Sequence, residues 1–522
     1  MAKIKSVCLW AAVVTAILIL CGLVLNLVAR NELRSGLAQI PGARIDVGKV
    51  SLSLLRGNLE FRDVEINLPD SVLTIADIKG KIESVKLERF NWLGLMRGEA
   101  RARRLLVRGP EAQVVLTGVA PKEKDSTDNS FLNKIALSEF SVDKGSIGLS
   151  SRSDSRKAGA KEIAFSVRDI GIQFPEGQVS YNDSSYLVVL DSLDCIDAKG
   201  LMRIQIRHLA TSDAGAIKAQ GIHAYNCVPR EQLAEKMGKV AAMWFDAKLD
   251  SLYISPLNIP RAVMGQNVDI DSVSVAGKEV VLFQDDRYLP AVPYTTLQES
   301  LNALEMPFRI RTVSAQVPSF TFIWNTTHVN RGAYPMNNIR IAINSISNHR
   351  NNNMRLSLKT GRTAGSRADF SLNIRNDRQE TTSGTIQVYD MDISKLDDFM
   401  RPLFGATLDA DIHHIGCTFK GDKHQMTSDF CMLYDNLKVK VWNDATAPYQ
   451  LVAKNSGMVN FLANLVLPKS NPLQAGKDPK TVEVVFDRDP MPPYASYILQ
   501  NLTQGMLYTL LPGGGHVRKT KK

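Results

Sequence analysis

The chain has 522 residues, 63 Lys and Arg against 53 Asp and Glu for a formal charge of +10, and 44% hydrophobic and 22% charged residues, with six cysteines. That balance belongs to a folded protein; it excludes wholesale disorder and collagen-like structure, and the cysteines are too few for a disulfide-stapled mini-fold. The length allows about three domains or one long repetitive one, and a mild positive surplus spread along the chain, with no basic stripe, does not imply nucleic acid.

Residues 1–6 carry Lys3 and Lys5, and Val7 to Ala29 is a stretch of 23 residues without a charge. At about 1.5 Å per residue it is roughly 35 Å long as a helix, enough to cross a hydrocarbon core of about 30 Å. The run is longer than a signal-peptide core and no A-x-A site follows, so 7–29 is expected to stay as a transmembrane signal anchor. The lysines before it place residues 1–6 in the cytoplasm and the rest of the chain beyond the membrane.

Residues 30–119 form a head. It contains the basic run Arg97 to Arg108, which reads as a solvated strand edge where Lys and Arg discourage pairing, with anionic lipid headgroups as the alternative partner. Two polar stretches, Ala120 to Ser130 and Ser150 to Lys161, make 120–160 a region of loops and strand that sets the head off from a β body over 161–450. In that body apolar and polar residues alternate with period two: Ile204 and Ile206, then Ile339, Ile341 and Ile343, then Met354, Leu356 and Leu358, then Phe370, Leu372 and Ile374, then Leu437, Val439 and Val441. Such segments have one buried and one wet face, and turn-rich stretches at Asn351 to Asn353 and Gly361 to Arg367 join them as hairpins. The predicted class is mainly β and antiparallel, with a few short helices.

The helices are predicted at Pro229 to Phe245, where Leu233, Met237, Val240, Ala241 and Trp244 share a stripe, and at Thr295 to Glu305. Ser394-Lys395-Leu396-Asp397 resembles a capping box. Within 451–522, the helix-containing C-terminal cap and basic tail, Met491 to Pro512 carries no charge and sets Tyr494, Tyr497, Ile498, Leu502, Met506 and Leu510 at helical spacing. Gln500, Asn501, Thr503 and Gln504 make it a poor membrane span, and it is expected to cap the open end of the sheet.

No G-x-S-x-G, H-E-x-x-H, C-x-x-C, Walker A or G-x-G-x-x-G motif is present, so no enzyme activity and no cofactor are expected. Asp409, Asp411 and His413 alternate along one strand face, and three such ligands suit a divalent ion. Leu408, Ala410 and Ile412 form the opposite, apolar face, so the simpler reading is the wet side of an amphipathic strand, and no metal is expected. Cys8 and Cys21 lie in the anchor. Of Cys195, Cys227, Cys417 and Cys431, the last two flank a Gly421-Asp422 turn, which leaves open a cross-strand disulfide or buried free thiols.

The order of anchor, then the segment from Ile40 to Ile82, then Leu87 to Leu116 with the closing unit Gly98 to Leu116, resembles the head of the AsmA-like envelope proteins, relatives of the chorein-type, repeating β-groove lipid-transfer proteins. Met400 to Val441, Ser456 to Leu467 and Val484 to Pro490 are similar to the late part of AsmA-like chains. The resemblance implies a long twisted antiparallel groove, apolar within, anchored by the transmembrane helix in the inner membrane of a Gram-negative bacterium, with the bulk in the periplasm. Its implied role is to bind or conduct phospholipid between membranes, or to support outer-membrane biogenesis. The partners would be phospholipid, the inner membrane and other envelope proteins. On that reading Ile339, Ile341, Ile343, Leu356, Leu358, Phe370, Leu372, Ile374, Leu437, Val439 and Val441 face lipid. The alternative is a periplasmic scaffold that assists outer-membrane protein assembly without carrying lipid, in which the same strands close into a packed sandwich.

Overall fold

The computed structural model describes residues 44–517 apart from 54–56, 70–75, 92–93, 95–96, 98, 118–133, 174–177, 181–185, 213–214, 258–266, 286, 289–291, 326–330, 363–365, 378, 398–405, 442–466, 475, 489–493 and 511–515. The chain is mainly β, as its alternation predicts. The predicted anchor at 7–29 lies outside the described residues, among which no helix is long and apolar enough to cross a membrane. Two compact units make up the chain: Met1–Cys227 with Ser251–Gln266, and Val228–Asp250 with Asn267–Lys522.

The first unit holds β1 (Arg44–Ser53), β2 (Asn58–Leu68), β3 (Ala76–Glu88), β4 (Glu99–Leu116), β5 (Lys134–Ser151), β6 (Lys157–Gln173), β7 (Gln178–Ser180), β8 (Tyr186–Ile196), β9 (Met202–Thr211) and β10 (Ile217–Asn226). Consecutive strands pair antiparallel, with β7 and β8 both on β6, except that β4 and β5 run parallel. Its core is one face of this sheet, with Leu59, Leu87, Leu105 and Phe140 in one cross-strand row and Phe61, Val85, Val107 and Val142 in the next.

A line of irregular residues crosses the sheet. Asp63, Gly109, Lys144, Glu162, Ser192 and Gly221 all have positive φ, and each falls in a gap of its ladder, as where Arg62 pairs with Ser84 and Val64 with Ile82. In β2 the alternation changes phase there: Leu59 and Phe61 are buried, Arg62 and Asp63 exposed, then Val64, Ile66 and Leu68 buried; β3 changes in step, with Leu87 and Val85 and then Ile82 buried, so the register is unshifted. Gly109 needs its glycine twice, for φ +56 and because a Cβ there would stand 3.0 Å from the Glu83 side chain.

Three expectations for this unit need correction. The basic run is not an edge, since β4 is paired on both sides; Arg101, Arg103 and Arg108 are its exposed outer face, while Ala100, Ala102, Leu105 and Val107 are buried. Ser150 to Lys161 is not a boundary loop, because only Arg152 to Arg156 lies between β5 and β6. The sheet is not wholly antiparallel either, because the 17 residues between β4 and β5 return the chain to the starting end before it pairs.

The second unit contains α1 (Leu233–Lys236), which follows a single 3-10 turn, then β12 (Val268–Asp285), α2 (Leu297–Asn302), β13 (Phe308–Asn325), β14 (Arg331–Ser347), β15 (Asn353–Lys359), β16 (Arg367–Arg375), β17 (Thr382–Asp392), β18 (Ala406–Gly421), β19 (Gln425–Val441), β20 (Thr481–Asp487), α3 (Tyr494–Leu510) and β21 (His516–Val517); β11 (Trp244–Ile254) has residues in both units. From β12 to β21 each strand pairs with the next, β12 and β13 parallel and the rest antiparallel. The helix predicted over Pro229 to Phe245 is much shorter. Gly238, at φ +83, closes α1 with its N–H on the Glu235 carbonyl while the Lys239 N–H bonds that of Ala234, a left-handed C-terminal cap, and Trp244 is already strand.

The crossover from β12 to β13 carries α2, within the predicted Thr295 to Glu305. The capping box is here and not at Ser394: the Glu299 N–H donates to Thr296 Oγ1 at 3.0 Å and the Thr296 N–H to Glu299 Oε2 at 2.8 Å. Ile393–Leu396 is a 3-10 turn with no side-chain cap. The crossover is tied along one rim of the sheet. Gln298 Nε2 donates to the Ser347 carbonyl at the end of β14, Thr296 Oγ1 to Glu380 before β17, Lys423 Nζ to Glu299 from the β18–β19 turn, and Arg488 Nη2 to the Tyr294 carbonyl from beyond β20. Nine residues separate Asp285 from Tyr294 and reach at most about 32 Å, yet β12 and β20 are eight strand steps apart, about 38 Å on a flat sheet before strand length is added. The sheet of this unit must therefore curl into a trough. Thr296→Ala removes a helix cap and leaves the buried Glu380 carboxylate without that donor, and is expected to lower stability by about 2–3 kcal/mol; urea unfolding with an unchanged midpoint would refute this account of the crossover.

Candidate functional site

The eleven residues singled out by alternation lie on strands of this second sheet, and the register shows how they meet. Ile341, Leu358 and Phe370 are directly opposite one another on β14, β15 and β16, and the row continues through Ile386, Cys417, Phe430 and Val482. Ile343, Leu356 and Leu372 begin a second row that continues through Gly384, Phe419, Ser428 and Val484. Ile374 pairs with Met354. Ile339 lies one step along β14, beside Val317. Leu437 and Val439 lie on the same face of β19 toward the opposite rim, Val439 beside Leu408. Val441 ends β19 opposite Ala406.

Sequence reasoning missed the extension of these rows across the parallel pair. Val275 and Ala315 continue the first row and Val273 and Val313 the second. Their signal was the same alternation, in VSVAG and VSAQV, but small side chains make it weak. It also missed where β14 changes phase. Tyr334 and Met336 give way to Ile339, Ile341 and Ile343 at Asn338, φ +50, where the ladder skips one residue on each strand, Asn338 and Pro318, the latter with no N–H to give to it, and resumes in the same register.

The two ends of this face differ in what covers them. On β18 to β20, Cys417, Phe419, Phe430, Val482 and Val484 are buried, Phe430 and both valines to 0% exposure. Helix α3 lies over β19 and β20 there, with Gly505 against the Phe430 ring, the Ser428 hydroxyl donating to Asn501 Oδ1 at 2.6 Å, and Lys480 Nζ donating to the Tyr508 carbonyl at its C-terminus. On β12 to β16 most of the same rows is only half-buried: Val273, Val275, Val313, Ala315, Ile341, Ile343, Leu356, Leu358 and Phe370 keep partial exposure, while Leu372 in the second row and Ile339 and Met354 beside the rows are buried. Helix α3 packs mainly on β19 and β20.

Burial at the closed end shows in its ionisable groups. It pushes the Cys417 thiol up to about 11 and the Tyr434 hydroxyl up to about 12, the latter donating to the Pro468 carbonyl at 3.2 Å. The hairpin register also decides the cysteine question. Cys431 pairs with Gly416 and Cys417 with Phe430, so the two thiols point to opposite faces and all four described cysteines are free. Iodoacetamide at pH 8 should modify exposed Cys227 and spare Cys417 until the protein unfolds; a 417–431 disulfide in a non-reducing peptide map would contradict the register.

Asp409, Asp411 and His413 are all exposed, each with a separate neighbour: Lys438 at 3.8 Å, the Asn436 amide at 2.7 Å, and Asp435 at 3.1 Å. The described residues contain no group of three or more side chains placed to hold a metal ion. Comparison with known protein families matches none of them to this chain, and no curated protein sequence is similar to it.

Proposed function

We propose that the second sheet binds lipid acyl chains on its half-buried apolar face, and that the protein is a membrane-anchored envelope component which binds or conducts phospholipid across the periplasm from the inner membrane. The observation that carries this reading is the pair of unbroken apolar rows from β12 to β16, in which nine of the ten residues stay half-exposed while the same rows are sealed under α3. Each CH₂ exposed to water costs about 0.8 kcal/mol, so a two-chain lipid faces a barrier on the order of 20 kcal/mol in an aqueous gap. A trough lined by Val, Ile, Leu and Phe removes most of that cost, leaves headgroups in water at the rim, and needs no catalytic residue.

The test is mass spectrometry of organic extracts from the purified protein. Phospholipid in stoichiometric amount is expected. Its absence favours the other reading, a periplasmic scaffold for envelope assembly, which the fully packed end under α3 resembles. A C-terminal reporter fusion tests the topology, with residues after Arg30 expected outside the cytoplasm.

A further inference from the structure

The outer face of the second sheet, opposite the apolar rows, generally balances its charges in pairs. Arg309 stands opposite Asp269 and donates to it at 2.9 Å, Arg311 reaches Asp271 at 2.9 Å, and Lys248 reaches Glu279 at 2.9 Å. The outer face of β15 to β17 departs from this. Arg355 stands between Asn344 of β14 and Asn373 of β16, and Arg375 stands opposite Asn353. Ser383 faces Asn373 on one side and Lys420 on the other.

Asn353, Arg355, Asn373, Arg375, Thr381 and Ser383 together line an open recess of about 460 Å³. None of the six is acidic. Among the described residues, the carboxylate within ion-pair range of these arginines is Asp377, at 3.9 Å from Arg375 Nε. Its oxygens already accept from the Thr381 hydroxyl at 2.8 Å and from the Gln379 and Thr381 N–H groups at 3.1 Å. Two guanidinium groups on a cross-strand diagonal therefore share a recess with two amides and two hydroxyls, and the single carboxylate near them, Asp377, touches only Arg375 and only at the limit of ion-pair range. Like charges this close repel, and guanidinium forks flanked by neutral donors match the several acceptor oxygens of a tetrahedral oxyanion.

We propose that this recess binds a phosphate group, carried either by a free phosphate or by a phospholipid headgroup at a membrane surface. The site lies on the face opposite Leu356, Leu358 and Leu372, so it goes beyond the acyl-chain reading and stands or falls separately from it. The bound phosphate accepts from both guanidiniums, with the Ser383 hydroxyl and the Asn353 and Asn373 amides supplying further donors.

The experiment is titration calorimetry on the full chain in neutral detergent at low ionic strength, with inorganic phosphate in one arm and detergent micelles doped with phosphatidylglycerol in the other. Arg355→Gln and Arg375→Gln change exposed side chains, and circular dichroism confirms that their fold is kept. Each is expected to weaken binding at least tenfold, with Arg355→Lys recovering part of the loss. Binding in the phosphate arm that these variants abolish assigns a free phosphate; variant-sensitive binding only in the doped micelles assigns a headgroup. No binding in either arm, or binding that both Gln variants leave unchanged, overturns the proposal.

Discussion

Phe430→Ala is expected to lower the unfolding free energy by about 3–5 kcal/mol, the range for deleting a fully buried aromatic side chain. Phe430 is 0% exposed, sits between Cys417 on β18 and Val482 on β20, and is pressed from above by Gly505 of α3, where even a Cβ would come within 2.5 Å of the ring. A cavity there cannot be filled by the strands, whose ladder fixes them, and α3 can settle into it only by losing the Ser428–Asn501 contact. Urea denaturation followed by circular dichroism measures the loss. A change below about 1 kcal/mol would mean that the helix does not seal this end in solution.

Leu358→Asp, in the same row four strands away, should behave in the opposite manner. Leu358 is half-buried between Ile341 and Phe370, away from β19 and β20 on which α3 packs. A carboxylate at this position reaches water, so the variant is expected to fold and to accumulate normally. It also places a charge where acyl chains would lie, and an isolated charge in an apolar lining is strongly disfavoured. Co-purified phospholipid should fall at least tenfold. An unfolded or degraded Leu358→Asp would show that the β12 to β16 face is packed shut like the α3 end, because only a closed core makes an unpaired charge that destructive. A folded variant with undiminished lipid would remove this face from the lipid path.

Much of this architecture is legible in the residues. Alternation in IRIAIN, MRLSLK and FSLNIR placed three strands and their inward faces, since a side-chain period of two admits only one register with a continuous apolar face. The uncharged segment after Met491 announced a helix. What alternation does not carry is its own interruptions. At Asp63 and Asn338 the pattern slips by one residue, which reads as a broken strand or a turn, whereas the two paired strands turn over together at one positive-φ residue and the ladder continues in the same register. The stripe from Leu233 to Trp244 had the right spacing for a helix, but Gly238 ends α1 and Trp244, its indole N–H on the Val228 carbonyl, belongs to a strand. The lining of the candidate site was legible strand by strand. Its covered and uncovered halves were not, because they depend on where α3 lands, a contact between segments some seventy residues apart.

The parallel pairing of β12 with β13 also sets an order of assembly. From β13 to β17 each strand meets its partner through a connection of five to seven residues, and β18 meets β19 through three. β12 meets β13 only after a crossover of 22 residues, and every pair in their ladder is forty positions apart in the chain. Closing the longer loop costs only about 1.3 kcal/mol more than closing a five-residue one, but it yields no contact until the whole excursion is made, whereas each hairpin gains its bonds at once. The meander from β13 to β17 can therefore zip by local steps, with β12 joining afterwards on an edge already formed. Until it does, β13 presents an open edge eighteen residues long, and that interval is when a nascent chain is most exposed to pairing with a neighbour instead of with itself.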